Sequence, residues 1–499
     1  MEWLELTVAI VASLFGFYYW STSTFNFWKS RNVAGPKPLP LVGNLKDLFL
    51  GKVSFSKLVQ RIYEQHHGDS VIGMYMGREP VLVLTDLDLI KDVLIKDFAK
   101  FPDRDSRQSD KREPLSQNLI KLEAARWRPL RQKLSTAFTS GKLKNMFYLM
   151  LECGDHLEEY LTKFGDTNDA VECGELAAKY TTDVIGSCVF GIRTNALADE
   201  NSEFRRMGRD VFNPNWKNFL RTRVRESIPW LYSILAPFIS DSTVTNFFMN
   251  IMKETIDFRK KHRIVKHDFI DLIVELRDHP NALDDIELSD SLLTAQLCVF
   301  FLAGFETSST TMSHALYELA QHQPMQEQLR DEINCEVAKN DGELTFEVIK
   351  SMKYLDMVFK ETLRKYPPAT TIVRRSTGSY EFSGTRLTIP KGTRILVPVF
   401  SIHRDSRIHS KPEAFDPERF KDEAVNARHP MSWLAFGNGP RNCIGARFAA
   451  YQSKVGLIKI LQKHKVEVCE KTRIPYAMNT RSFLLAPADG IHLKISKII

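Results

Sequence analysis

The chain has 499 residues, 43% of them hydrophobic and 26% charged, with a net charge of +7. That balance supports a large core and excludes a disordered chain, and the spread of Lys and Arg along the sequence does not mark a nucleic-acid groove. Seven cysteines, at 153, 173, 188, 298, 335, 443 and 469, form no CxxC pair, which argues against a disulfide framework or a zinc site.

From the N-terminus, "WLELTVAIVASLFGFYYW" (3–20) is almost wholly apolar, with Glu5 its only charge. It is long enough to span a bilayer as a helix. Phe17, Tyr18, Tyr19 and Trp20 sit where an interfacial belt would be, and Lys29 and Arg31 follow. Glu2 and Glu5 stand where a cleaved signal peptide would carry Lys or Arg. The reading is a single-pass anchor over 1–22 with the body on the cytosolic side. A linker and proline-rich hinge over 23–40 follows, built on "GPKPLP". No Gly/Ser linker or repeat interrupts the rest, so 41–499 is expected to be one catalytic domain.

Beyond the hinge the chain is expected to be mainly α with small β-sheets. Strands are predicted over 71–76, 80–85, 393–399 and 491–496, and helices over 86–98 and 352–366. The run 289–324 reads as one long helix, N-capped by Ser289, stopped by Pro324 and buried all round at "LCVFFLAGF". Gly304, Glu306, Thr307 and Ser308 weaken it locally. Two readings stand equally: a tolerated kink in a core helix, or an opening beside a buried cofactor.

"FGNGPRNCIGARFA" (436–449) sets Cys443 between Gly439 and Gly445 at the start of a predicted helix. Helix dipole and free N–H groups there favour thiolate. A lone thiolate is too few ligands for zinc. It suits a metal whose other ligands come from a macrocycle, as in haem with an axial cysteine.

The segment matches FxxGxRxCxG through Phe436, Gly439, Arg441, Cys443 and Gly445. "AGFETS" (303–308), "ETLR" (361–364), "PERF" (417–420) and "WRPLR" (127–131) accompany it in the family's order. Over essentially its whole length the chain resembles the cytochrome P450 haem-thiolate monooxygenases, nearest the branch of insect detoxification and vertebrate drug-metabolising enzymes.

The resemblance implies the cytochrome P450 fold, a single triangular helical domain, with haem b on Cys443 and O2 as co-substrate. Arg441, Trp127, Arg131 and Arg374 would hold the haem, with Arg104 a weaker candidate. Phe436, Gly439, Gly445 and Ala303 would also border it. Thr307 is implied as the hydrogen-bond donor on the oxygen side and Glu306 as the relay acid. Glu361, Arg364 and Arg419 would form a structural cluster. Substrate-lining positions would include Phe301, Ala303, Ala369, Thr371, Ile372 and Leu484, with further ones within 102–122 and 200–240.

No GxGxxG fingerprint is present, so no NADPH or flavin site is expected in the chain itself. Electrons would come from NADPH-cytochrome P450 reductase, with cytochrome b5 as a second candidate. Arg126, Arg128, Lys133, Arg447 and Lys454 would form the docking face, or else an ordinary solvated surface. The expected setting is the endoplasmic reticulum membrane, and the expected substrate a lipophilic xenobiotic. Alternatives are a hydroxylase of endogenous lipid, steroid or hormone precursor, a non-oxygenase haem-thiolate isomerase or dehydratase, and a haem sensor. Glu306 and Thr307 speak against the last two classes.

Overall fold

The computed structural model describes residues 2–104, 114–162, 169–212, 243–266, 268–279 and 286–498, with positions 232, 234 and 283. Of the expected substrate-lining stretches 102–122 and 200–240, residues 105–113, 213–231, 233 and 235–240 lie outside the described residues. The chain is predominantly helical with small sheets and gathers into two compact units. The smaller comprises Met1–Ser106, Thr370–His409 and His429–Arg441; the larger comprises Arg107–Ala369, Ser410–Arg428 and Asn442–Ile499.

The smaller unit is built on a four-stranded sheet. Its strands, in spatial order, are Val71–Met76, Glu79–Leu84, Arg394–Val397 and Ile372–Arg375. The first pair is antiparallel, with Val71 opposite Leu84. The second is parallel, with Val81 opposite Arg394. Period-two alternation explains the two-sided burial. Ile72, Met74, Val81 and Val83 pack with Leu58, Val59 and Ile62 of the helix Phe55–Gln65. Tyr75, Leu82 and Leu84 join a second cluster with Trp28, Phe101 and Ile395.

The helix Glu2–Thr22 also belongs to this unit. Its apolar side chains are exposed along its length, and its span Trp3–Thr22 is long and apolar enough to cross a membrane. Trp28 and Phe25, in the segment after it, are bonded to the sheet. The Trp28 indole donates to the Met74 carbonyl at 3.1 Å, and the Tyr75 hydroxyl donates to the Phe25 carbonyl at 2.9 Å.

The predicted helix 86–98 is broken into three kinds of turn. An α-turn Leu87–Lys91 passes into a π-helical turn Asp92–Lys96, and a 3-10 turn Phe98–Lys100 follows.

In the larger unit one helix, Asp290–Gln321, runs through the core. It is apolar and long enough to cross a membrane, but most of its apolar stretch is buried within the protein, so it is a core helix. The Ser289 hydroxyl caps it by accepting the Leu292 N–H at 3.2 Å. The helix ends at Gln321, before Pro324, which stands in the first turn of the next helix, Gln323–Ala338. The helices Cys173–Ile185 and Ala446–Leu461 pack beside it. A Cβ at Gly456 would lie 2.3 Å from the Met312 Cε and 2.7 Å from the Tyr180 ring, so glycine permits this close approach.

Candidate functional site

Cys443 lies just before Gly445, the N-cap of the helix Ala446–Leu461. Its thiol is exposed, whereas Cys153, Cys173, Cys188 and Cys298 are buried. Burial pushes those four thiols up, Cys153 and Cys298 to about 12, so they stay protonated. Cys335 is also exposed, but on the helix Gln323–Ala338. Among the described residues no cluster of three or more His, Cys, Asp or Glu could enclose a metal. A single cysteine ligand beneath a macrocycle fits this donor set.

The helix Ala124–Ser135 carries Trp127 and Arg131, and brings Arg131 to the residues around the cysteine. Trp127 is buried, as are Leu130 and Leu134 on the same stretch. The Arg131 guanidinium donates to Asn442 Oδ1 at 3.0 Å. Burial lowers its pKa, while the neighbouring Cys443 opposes that shift. Arg131 is thus a cation held directly beside the candidate thiolate ligand.

In the same unit stands the turn that contains Ala303, Glu306 and Thr307. Ala303 is exposed although Phe301 and Phe305 beside it are fully buried. The helix is continuously α-helical through the turn. Its weakening is expressed in the carbonyls, three of which in a row accept a side-chain donor. Thr307 Oγ1 donates to the Ala303 carbonyl at 2.7 Å, Gln452 Nε2 to that of Gly304 at 2.7 Å, and Thr181 Oγ1 to that of Phe305 at 3.1 Å. Gly304 serves packing, since a Cβ there would lie 2.3 Å from Ile185 Cδ1. Burial raises the pKa of Glu306, opposed by Arg205 and reinforced by Glu175 and Glu172.

Phe301 is fully buried, its ring packed against Phe190, Phe204, Phe248 and Phe305. Ala369 and Leu484 lie on segments joined by the Leu485 N–H to the Pro368 carbonyl, at 3.1 Å.

Glu361 and Arg364, on the helix Lys353–Lys365, form a fully buried bidentate pair at 2.7 and 2.8 Å. Arg419 Nε stands 3.5 Å from Glu361 Oε1. The Asp416 N–H donates to that oxygen at 2.9 Å, and Arg364 donates to the Ala414 carbonyl at 3.2 Å. The cluster thereby ties the helix to the chain around 414–419.

The smaller unit holds the remaining candidates. Arg374 is buried, bonds the Val373 carbonyl at 2.9 Å and leaves its Nε without an acceptor among the described residues. Its pKa is pushed well down, first by burial and then by Arg104 and Arg441. Arg104 donates to the Arg441 carbonyl at 3.0 Å, and Arg441 donates to the Pro102 carbonyl. Asp103 is 4.0 Å from Arg441. Buried like charges of this kind call for an anion, and the carboxylates of a haem fit that need. Phe436 meets Trp433 edge to face, at 6.1 Å between centroids. Gly439 has φ +76°, and a Cβ there would lie 1.9 Å from the Leu94 carbonyl oxygen. Thr371 and Ile372 are partly buried in this unit, Ile372 opposite Val397.

Part of the expected docking face is engaged elsewhere. Lys454 is buried and pairs with Asp356 at 2.6 Å. Lys133 pairs with Glu275 at 2.7 Å and Arg126 with Glu123 at 2.5 Å. Arg128 is exposed, and Arg447 is exposed while donating to Ser140 Oγ at 2.8 Å.

Sequence reasoning missed Gln452, Asn442 and Thr181. A signal existed for Gln452, a polar residue inside the buried run of the helix that follows the cysteine.

The family model for cytochrome P450 matches residues 33–494. The chain is similar to "Probable cytochrome P450 6a14" of Drosophila melanogaster, with 40% identity over 99% of each chain. It is also similar to cytochrome P450 6A1 of Musca domestica, at 37% identity over 100% of this chain and 98% of the relative. Cytochrome P450 6B1 of Papilio polyxenes is 38% identical over 99% of each. The chain therefore belongs to the cytochrome P450 family, and with that membership come haem b, dioxygen and the monooxygenase reaction.

Proposed function

We propose that this monooxygenase oxidises lipophilic xenobiotics at the endoplasmic reticulum membrane. NADPH supplies the electrons through NADPH-cytochrome P450 reductase, with cytochrome b5 as a second donor. The observation that carries the reading lies within the larger unit. The helix that follows exposed Cys443 grips, through Gln452, the turn bearing Ala303, Glu306 and Thr307. Haem b with a thiolate ligand supplies the activation of dioxygen.

Each residue then has a role. Cys443 is the iron ligand, and the Arg131 charge favours its thiolate form. Trp127, Arg131, Arg374 and Arg441 hold the cofactor, with Phe436, Gly439 and Gly445 shaping its loop. Thr307 would present its hydroxyl on the oxygen side by releasing the Ala303 carbonyl, to which it donates here. Glu306, whose raised pKa lets it keep a proton to higher pH than an exposed glutamate, resupplies that proton. Ala303, Ala369, Thr371, Ile372 and Leu484 line the substrate space, with Phe301 backing it from the core. Glu361, Arg364 and Arg419 support the fold. The apolar N-terminal helix, long enough to cross a membrane, supports a setting where lipophilic compounds partition.

The test has two parts. Reduced protein with carbon monoxide should give a thiolate-type difference spectrum, which Cys443→Ser loses. Reconstituted with the reductase, the wild type should turn over plant toxins and insecticides in preference to fatty acids and steroids. Thr307→Ala should raise peroxide release and lower product per NADPH. Wild-type values of both in that variant would remove Thr307 from its role.

A further inference from the structure

A second candidate site lies in the smaller unit, away from the residues assigned to haem. Ser30, Arg31, Asn32, Ser379, Arg386 and Thr388 line an open cleft of about 540 Å³. It offers two guanidinium groups, the Thr388 hydroxyl and an amide, the Ser30 and Ser379 hydroxyls donating to the Phe27 and Ile389 carbonyls at 3.0 and 3.3 Å, and no acid lines it. Glu381, opposite Thr388 in the hairpin, is outside the lining. Arg386 forms no ion pair among the described residues. Arg31 is held in place, its guanidinium 3.9 Å over the Phe27 ring and donating to the Phe27 carbonyl at 3.0 Å. Asn32, at φ 54°, turns the chain at the rim. Guanidinium, hydroxyl and amide donors converging without a counter-charge are the chemistry that binds phosphate oxygens.

The position of the cleft narrows the source of that phosphate. Ser30 follows Thr22, the end of the apolar helix, by eight residues. Such a segment reaches at most about 29 Å when fully extended. Here it is folded into successive turns, with Phe25 N–H to the Thr22 carbonyl at 2.9 Å and Ser30 N–H to that of Asn26 at 2.9 Å. Trp28, buried in the sheet unit, fixes those turns. The cleft is therefore held rigidly, close to where the chain leaves the bilayer.

We propose that this cleft binds a phosphate group and that its occupant is the headgroup of an anionic phospholipid from the membrane that the N-terminal helix enters. Cationic side chains at a bilayer surface are drawn to such lipids. A lined cleft would select one headgroup in place of a diffuse cloud.

The test uses full-length haem-loaded protein in phosphatidylcholine vesicles containing photoactivatable phosphatidylserine. Irradiation and peptide mapping should place adducts within 29–34 and 377–390. Arg31→Gln combined with Arg386→Gln should lower their yield about 30-fold, each arginine at an anionic surface contributing about five-fold. Lys29→Gln combined with Lys391→Gln removes the same charge outside the cleft and should lower the yield clearly less than the arginine pair does, through the diffuse surface charge alone. Equal loss in both pairs, or no adduct in these segments, overturns the site. Glycerol 3-phosphate added to the same vesicles separates the two sources of phosphate. No competition keeps the lipid as occupant, and full competition replaces it with a soluble phosphate compound. If the arginine pair fails to give the wild-type carbon monoxide spectrum, Arg386→Gln alone decides, with an expected loss of about five-fold.

Discussion

Arg374 is a buried cation whose neighbours in its unit, Arg104 and Arg441, share its sign. Isolated buried charge costs several kcal/mol unless an anion arrives. Haem-free protein should therefore melt below the haem-loaded form. Arg374→Met should stabilise the haem-free protein by about 1–4 kcal/mol while making haem easier to extract. Thermal melts with and without haemin, and transfer of haem to apomyoglobin, measure the two effects. A lower melting point for haem-free Arg374→Met would contradict the argument. Glu306 behaves in the opposite sense, because its folded pKa is raised above the unfolded value. Between those two values the folded chain binds more protons, so stability falls as pH rises through that window, by at most about 1.4 kcal/mol per pH unit. Glu306→Gln should flatten this part of the curve of melting temperature against pH. An unchanged slope would mean that burial does not set the state of this acid.

At the scale of elements, Gln452 joins the helix that follows the cysteine to the central helix. Its side chain is fully buried, so loss of its amide removes a side-chain hydrogen bond from the partly buried Gly304 carbonyl. Gln452→Leu should cost about 1–3 kcal/mol and shift the haem spin-state spectrum, whereas Gln452→Asn should rescue neither fully because it is shorter. Unaltered melting and spectra would show that the contact is incidental. Strand Val71–Met76 was legible in the sequence because a short, continuous apolar run marks a strand buried on both faces. The Ser289 cap was legible because a hydroxyl before an apolar run has one local use. The break in 86–98 was not, since a π-helical turn has no compositional mark. Its reason is tertiary: Gly439 packs on the Leu94 carbonyl within that turn. The strands Tyr380–Glu381 and Thr388–Ile389 are too short to carry a period. In the site, Cys443 and the central turn could be found by motif. The isolation of Arg374 and the bonding of carbonyls 304 and 305 by Gln452 and Thr181 depend on residues far away in sequence.

On the scale of the whole molecule, the exit from the apolar helix decides whether the N-terminus is a loose tether or a mount. The proline-rich segment suggests a hinge, yet the chain is fastened before it reaches those prolines. Arg78, just past Gly77 between the first two strands, is the fastening point. Its guanidinium lies 4.1 Å over the Trp20 ring and donates to Ser23 Oγ at 3.0 Å. Its carbonyl accepts the Thr24 hydroxyl at 2.7 Å. Trp20 belongs to the helix and Arg78 to the sheet unit, so this contact carries the helix direction into the body. A cation over an indole contributes about 0.5–2 kcal/mol, small beside the fold's stability but large beside the few contacts at this junction. Arg78→Ala should therefore leave the melting temperature and the carbon monoxide spectrum unchanged. Amide exchange at residues 21–28 should become about 2–30-fold faster, the same energy expressed as a rate ratio. Trp20→Ala should give a similar increase, and the double variant little more, because both remove one contact. Additive increases would mean that Arg78 and Trp20 act separately and that the mount rests on Trp28 alone. Exchange at wild-type rates in every variant would show that the helix end is held by something other than this cation.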